Sequence, residues 1–237
     1  MKRFLLVLFC LAAISALHAQ ENPKTDIKPK SGLATGLVIF TDIWREDIAD
    51  MKPRTINQGV DAYVTYNVPV QNTPLSFSLG TGITVHNLYS NCVLVQDSTD
   101  DYSFVKISDL DASKDINYKK SKISLAYWDF PMEFRYRNKQ GITFALGMKF
   151  GLSINAMTKY KGDDYLGLTN DDIKFKVKDL ENIIKWRYGF TARAGYKMVE
   201  LYYFYSLTNV FSQGNGPEIA PMSLGISIRP LLMESKK

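Results

Sequence analysis

The sequence predicts an all-β fold, an eight-stranded antiparallel transmembrane β-barrel with long extracellular loops and short periplasmic turns, on three observations. Segments of strict period-two alternation recur along the chain. The connections between them are short and long in turn. Beyond the N-terminal segment there is no apolar run of the roughly 18 residues that a spanning helix needs.

The first element is an export signal. Lys2 and Arg3 precede an apolar run from Phe4 to Leu17, and small Ala19 marks the cleavage position, so residues 1–19 are expected to be removed. Cys10 lies inside the apolar run behind bulky Phe9, which is poor context for lipid attachment. Removal of the signal would leave Cys92 as the one cysteine, so no intramolecular disulfide is expected despite export. It also lowers the formal charge of +5 by two. The remaining acids and bases are interspersed, which argues against a nucleic-acid surface. Residues 20–30 read as a polar periplasmic lead-in, 31–231 as the barrel and 232–237 as a tail.

Four strands are strongly patterned. Leu75 to Val85 sets Leu75, Phe77, Leu79, Ile83 and Val85 against Ser76, Ser78, Gly80, Gly82 and Thr84. Ile142 to Ala156 alternates without a break, far longer than an ordinary strand. Trp186 to Met198 and Met222 to Ile228 repeat the pattern, and weaker versions occupy Leu33 to Trp44, Ile56 to Asn67, Ile123 to Tyr136 and Leu201 to Phe211. Each strong strand is of the order of the nine to eleven residues that cross a bilayer when tilted. Short connections are expected at 68–74, 137–141 and 198–200, and long ones at 45–55, 90–122, 159–182 and 212–220. With an even strand count both chain ends face the periplasm and the long loops face outward.

Volume decides which face turns inward. A barrel of eight strands has room for little more than its own side chains, and the Gly, Ser, Thr and Ala face fits there. The Phe, Leu, Met, Trp and Tyr face then meets lipid. That choice sends Asp61, Asp129, Glu133, Arg135, Lys149, Arg187, Arg193, Lys197 and Arg229 into the lumen, where they would form an ionic plug. Trp44, Tyr89, Trp128 and Trp186 would belong to an outer aromatic girdle, and Tyr66, Tyr136, Tyr196 and Tyr203 to an inner one. Pro131 lies within the fourth strand of a closed sheet, so a bulge or distortion is expected there.

The segment Tyr127-Trp128-Asp129-Phe130-Pro131-Met132-Glu133-Phe134-Arg135-Tyr136-Arg137, followed by Gly141 to Gly151, resembles a recurring strand of the outer-membrane β-barrel family common in Bacteroidota, which includes PorT-like proteins. Arg187-Tyr188-Gly189, Tyr205 to Asn209 and Leu224 to Ser227 are similar as well. The resemblance implies an outer-membrane location, outer-membrane lipid and other envelope or secretion proteins as partners, and a role in type IX protein secretion. It implies no catalytic residue and no cofactor. The chain departs from the general outer-membrane pattern in ending Leu231-Leu232-Met233-Glu234-Ser235-Lys236-Lys237 instead of on an aromatic residue.

Little catalytic chemistry competes with this reading. His86 is the one histidine beyond the signal, which excludes a paired-histidine zinc site. Placed at the outer end of the third strand, it reads as a solvated rim residue. An enzyme would need it as base, with Ser90 as nucleophile and Asp97, Asp100 or Asp101 as orienting acid. Asp109-Leu110-Asp111 and Asp163-Asp164 with Asp171-Asp172 lack a calcium loop's spacing and closing glutamate. Gly214-Asn215-Gly216-Pro217 is turn chemistry. The expected function is therefore a non-enzymatic barrel acting by protein contacts, without metal or cofactor. A small passive channel, an enzyme centred on His86 and a soluble ligand-binding barrel are its competitors.

Overall fold

The computed structural model describes residues 31–45, 51–111, 116–165 and 172–230. The expected signal, lead-in and tail lie outside them. Eleven strands are found among the described residues: β1 (Gly32–Trp44), β2 (Gln58–Pro69), β3 (Leu75–Tyr89), β4 (Cys92–Gln96), β5 (Tyr102–Lys106), β6 (Tyr118–Arg137), β7 (Ile142–Gly162), β8 (Ile173–Lys178), β9 (Trp186–Tyr196), β10 (Val199–Ser206) and β11 (Pro221–Ile228). Eight of them, in the order β6-β3-β2-β1-β11-β10-β9-β7, form an antiparallel sheet that β6 and β7 close into a ring. Closure removes the free strand edges that an open sheet would expose.

The alternation has the expected sense. Ile39, Phe134 and Leu146 point out of the ring and are 65%, 66% and 69% exposed, whereas Ser78, Ser223 and Ser227 face inward and are fully buried. Large apolar side chains exposed in rows around a closed ring suit hydrocarbon, not water. Trp128, Trp186, Tyr66 and Tyr136 are exposed on the outer surface. Trp44 instead packs against Phe104 with ring centroids 5.7 Å apart.

Several element boundaries differ from the sequence reading. β7 runs on to Gly162 and pairs with β8, while β4 and β5 form a separate hairpin, so the two longest of the four outer connections carry strand structure. β10 stops at Ser206 because Val210 and Phe211 turn into an apolar cluster at the outer end. β9 stops at Tyr196 because Lys197 adopts φ of 54° and forms the turn into β10.

No bulge forms at Pro131. The β3–β6 register is the same on either side of it, at Leu79↔Met132 and Gly82↔Asp129, and only the two intervening pairs are missing from the ladder. The N–H of Arg137 donates to the carbonyl of Pro74, the residue before β3, so by alternation position 131 also faces β3, where proline has no hydrogen to donate. The indole of Trp128 donates to the Thr81 hydroxyl at 2.7 Å across this gap. The β6–β7 pairing shifts register instead between Ala126 and Tyr127, opposite Asn155 and Ser153, and again between Tyr118 and Lys120 at the outer tip.

Candidate functional site

The lumen holds two charged layers separated by aromatic rings. In the inner layer Glu133 accepts from Arg193 Nε at 2.8 Å and from Arg135 Nη1 at 2.7 Å, and Arg229 lies 3.8 Å away. Arg135 also donates to Glu200. Arg229 is held by Thr65, Asn67 and Ser78, at 2.8, 2.6 and 3.0 Å. Hydroxyls and amides of neighbouring strands thus use donors that the carboxylates leave over, which is what makes such a layer tolerable in a dry lumen.

In the outer layer Asp129 accepts two bonds from Arg187, at 2.8 and 3.1 Å, and one from Thr84. Lys149 donates to Asp61 at 2.5 Å and approaches Asp129 at 3.4 Å. His86 lies 2.8 Å from Asp42 through Nδ1 and 2.5 Å from Arg187 through Nε2. A guanidinium can only donate, so Nε2 faces a donor and Nδ1 faces the Asp42 carboxylate. Ser223 completes Asp42 at 2.6 Å.

Between the layers lie Phe40, Tyr63, Tyr202 and Phe204. Arg193 stacks on Tyr63 and Tyr202, at 4.8 and 4.6 Å, and Lys149 lies 5.4 Å from Tyr202 and 5.7 Å from Phe204. Two glycines make room for these rings. A Cβ on Gly36 would come within 2.1 Å of Tyr63, and one on Gly59 within 2.1 Å of Phe40. Five acids, Asp42, Asp61, Asp129, Glu133 and Glu200, face five bases, Arg135, Lys149, Arg187, Arg193 and Arg229, all buried. The formal charges cancel.

A roof closes the outer mouth. Leu88, Ile123, Leu125 and Tyr127 of the ring pack with Tyr102, Leu180, Val210, Phe211 and Ile219 from the outer connections. A second apolar cluster, of Val93, Ile107, Ile116 and Tyr160, joins the β4–β5 hairpin to the inward face of the β6–β7 extension. The hairpin tip is ordered by Asp97, which accepts from the Thr99 hydroxyl and from the Thr99 and Asp101 N–H groups, at 2.7, 2.8 and 3.0 Å. These bonds hold its carboxyl below the usual aspartate range.

Eight of the nine residues expected in the lumen lie there. Lys197 does not: it is exposed in the β9–β10 turn, its ammonium 5.0 Å from the Tyr196 ring, because the turn breaks the alternation that would have carried it inward. Asp42, His86 and Glu200 are members that the sequence reading missed. Counting in twos from Phe40 and Tyr202 reaches Asp42 and Glu200, so those two were legible in principle. His86 is buried, not at a solvated rim, and both its ring nitrogens are engaged. Ser90 is occupied at Cys92, and Asp97 at its own hairpin tip, so neither serves His86. Among the described residues no group of three or more His, Cys, Asp or Glu is placed to hold a metal ion.

The family model described as outer membrane protein beta-barrel domain matches residues 19–212. The comparison with curated proteins finds no match. Among solved structures the chain is similar to Ail, the attachment invasion locus protein of Yersinia pestis, at 10% identity and a TM-score of 0.35, over 86% of this chain and 100% of that one. A second crystal structure, of Ail in complex with the heparin analogue sucrose octasulfate, gives a TM-score of 0.33 at the same identity and coverage.

Proposed function

Since the chain belongs to the outer membrane protein β-barrel domain family, we propose that this cell outer-membrane protein is non-enzymatic, keeps its lumen closed to solutes, and works through protein contacts at its outer cap or periplasmic turns. Its most specific form is support of type IX protein secretion, by resemblance to PorT-like proteins. The carrying observation is the filled lumen: two ion-pair layers, the rings between them and an apolar roof occupy the axis that a channel would need open. A buried His86 with both ring nitrogens engaged has no nucleophile beside it to activate, which disfavours the enzyme.

Two measurements test the reading. Purified protein in planar bilayers is expected to show no conductance above background, and steady single-channel steps would replace the proposal with a channel. Deletion of the gene is expected to reduce type IX cargo in the secreted proteome. An unchanged secretome would remove the secretion role.

A further inference from the structure

Above the lipid-facing band, the outer surface of the β6–β7–β8 extension carries lysines in register. Lys120 of β6 pairs with Lys161 of β7, which pairs with Lys174 of β8; Lys122, Lys159 and Lys176 form the next row. Within each strand the two lysines are two residues apart, so all six share one face of the sheet. That face is the lipid side. Ser121, Ile123, Thr158 and Tyr160, the intervening residues, are buried on the inward side.

Like charges directly opposite one another destabilise a sheet, and here they are stacked three strands deep in two adjacent rows. The segments 118–124, 155–162 and 173–178 contain no Asp or Glu. Among the described acids at the tip, Asp172 pairs with Lys119 at 2.9 Å and feels Lys161 more weakly, and Asp163 accepts from the Asn117 N–H at 2.8 Å. The surrounding lysines, Lys174 foremost, push the Lys159 ammonium below its ordinary range. Lysines on a sheet edge discourage edge-to-edge pairing, and that accounts for β8, the edge strand. It does not account for β6 and β7, which are paired on both sides over much of their length.

Height supplies the second observation. Outward residues from Tyr136 up to Ala126 cover roughly 25 Å along the membrane normal for a strand tilted by about 40°. Each further pair of residues rises about 5 Å, which sets the Lys122 row about 10 Å above the apolar band and the Lys120 row about 15 Å. Tyr89 and Arg54 extend the patch along the ring, with the Arg54 guanidinium 4.9 Å and the Lys122 ammonium 5.4 Å from the Tyr89 ring centre. Flexible lysine stems of the Lys122 row reach down to the headgroup level, and the Lys120 row stands above it.

We propose that this lysine lattice is a binding site for the phosphate groups of an anionic glycolipid in the outer leaflet. The inference rests on the outer-membrane placement and not on the proposed secretion role. Phosphates seated between the rows supply counter-charge that the three strand segments do not carry themselves, and the lipid is held against the barrel wall below.

The test uses the full chain in detergent, titrated with bisphosphorylated lipid A, its dephosphorylated form and a soluble polysulfated oligosaccharide. The protein is expected to bind the bisphosphorylated lipid at least tenfold more tightly than the dephosphorylated one. The variant Lys120→Gln, Lys122→Gln, Lys159→Gln, Lys161→Gln leaves the β8 edge lysines in place. It is expected to lose that preference while keeping a heat-modifiable gel shift, the sign of a folded barrel. Lys139→Gln with Lys197→Gln, at the periplasmic turns, is expected to bind as the parent does. Unchanged lipid binding by the fourfold variant overturns the proposal, as does tighter binding of the oligosaccharide than of the phosphorylated lipid.

Discussion

Glu133 neutralises more positive charge than any other side chain of the inner layer, with Arg135, Arg193 and Arg229 all converging on one carboxylate. Removing a buried ion pair's partner costs more than the pair contributes, because an unpaired charge remains in a dry interior. Glu133→Gln is therefore expected to destabilise the barrel by about 3–5 kcal/mol. Urea titration of the protein in detergent, followed by heat-modifiable migration, measures this; a loss under about 1 kcal/mol would mean that the hydroxyl and amide partners of the three arginines suffice alone. Gly36 and Gly59 are dictated by rings on adjoining strands. Their residue type was legible as small, but the reason for it, a tyrosine and a phenylalanine ring lying where a Cβ would be, comes from the neighbouring strand.

Among the elements, β6 and β7 show how a ring accommodates a proline and a bulge. The missing donor at Pro131 leaves a gap opposite Gly80 and Thr81 without changing the register, since the ladders on either side and the β7 pairing hold the strand in line. Pro131→Ala restores an N–H facing Gly80. It is expected to give a slowly exchanging amide at position 131 and a gain of about 1 kcal/mol, the net value of one backbone hydrogen bond. Fast exchange at that amide would show that β3 and β6 stay apart there for another reason. The sequence reading expected a bulge or distortion at the proline, where the ladder opens without a bulge, and it did not foresee the register shift beside Ala126. Proline announces its missing hydrogen in its identity, whereas the extra residue at Ile154 of β7, opposite Ala126 and Tyr127, depends on how the two strands meet the outer extension.

For the whole molecule, the ring and its roof are separable layers. The roof is built by Tyr102, Leu180, Val210 and Phe211 from three outer connections, while the charged layers belong to the ring strands. Tyr102→Ala with Phe211→Ala is expected to loosen the β4–β5 hairpin, seen as lost amide-exchange protection in β4 and β5 with protection retained in β10 and β11. Conductance is expected to stay at background, because the ion-pair layers still fill the axis. Channel opening in this variant would transfer the closure from the charged layers to the roof.

The sequence by itself determined the ring: eight strands, their inward and outward faces, the long outer connections and eight of the nine lumen charges assigned to it. Period-two alternation is a local property, and a membrane barrel makes it strict because every outward side chain meets hydrocarbon and every inward one competes for a narrow lumen. Only the tertiary structure decided which charges meet, that His86 is buried between Asp42 and Arg187, that outer connections fold into a roof, and that lysines of three strands stand in two rows. Each of these depends on register between segments far apart in the chain, such as Asp42 with Ser223 or Lys122 with Lys159 and Lys176. Register is a relation between strands, and no single strand carries it.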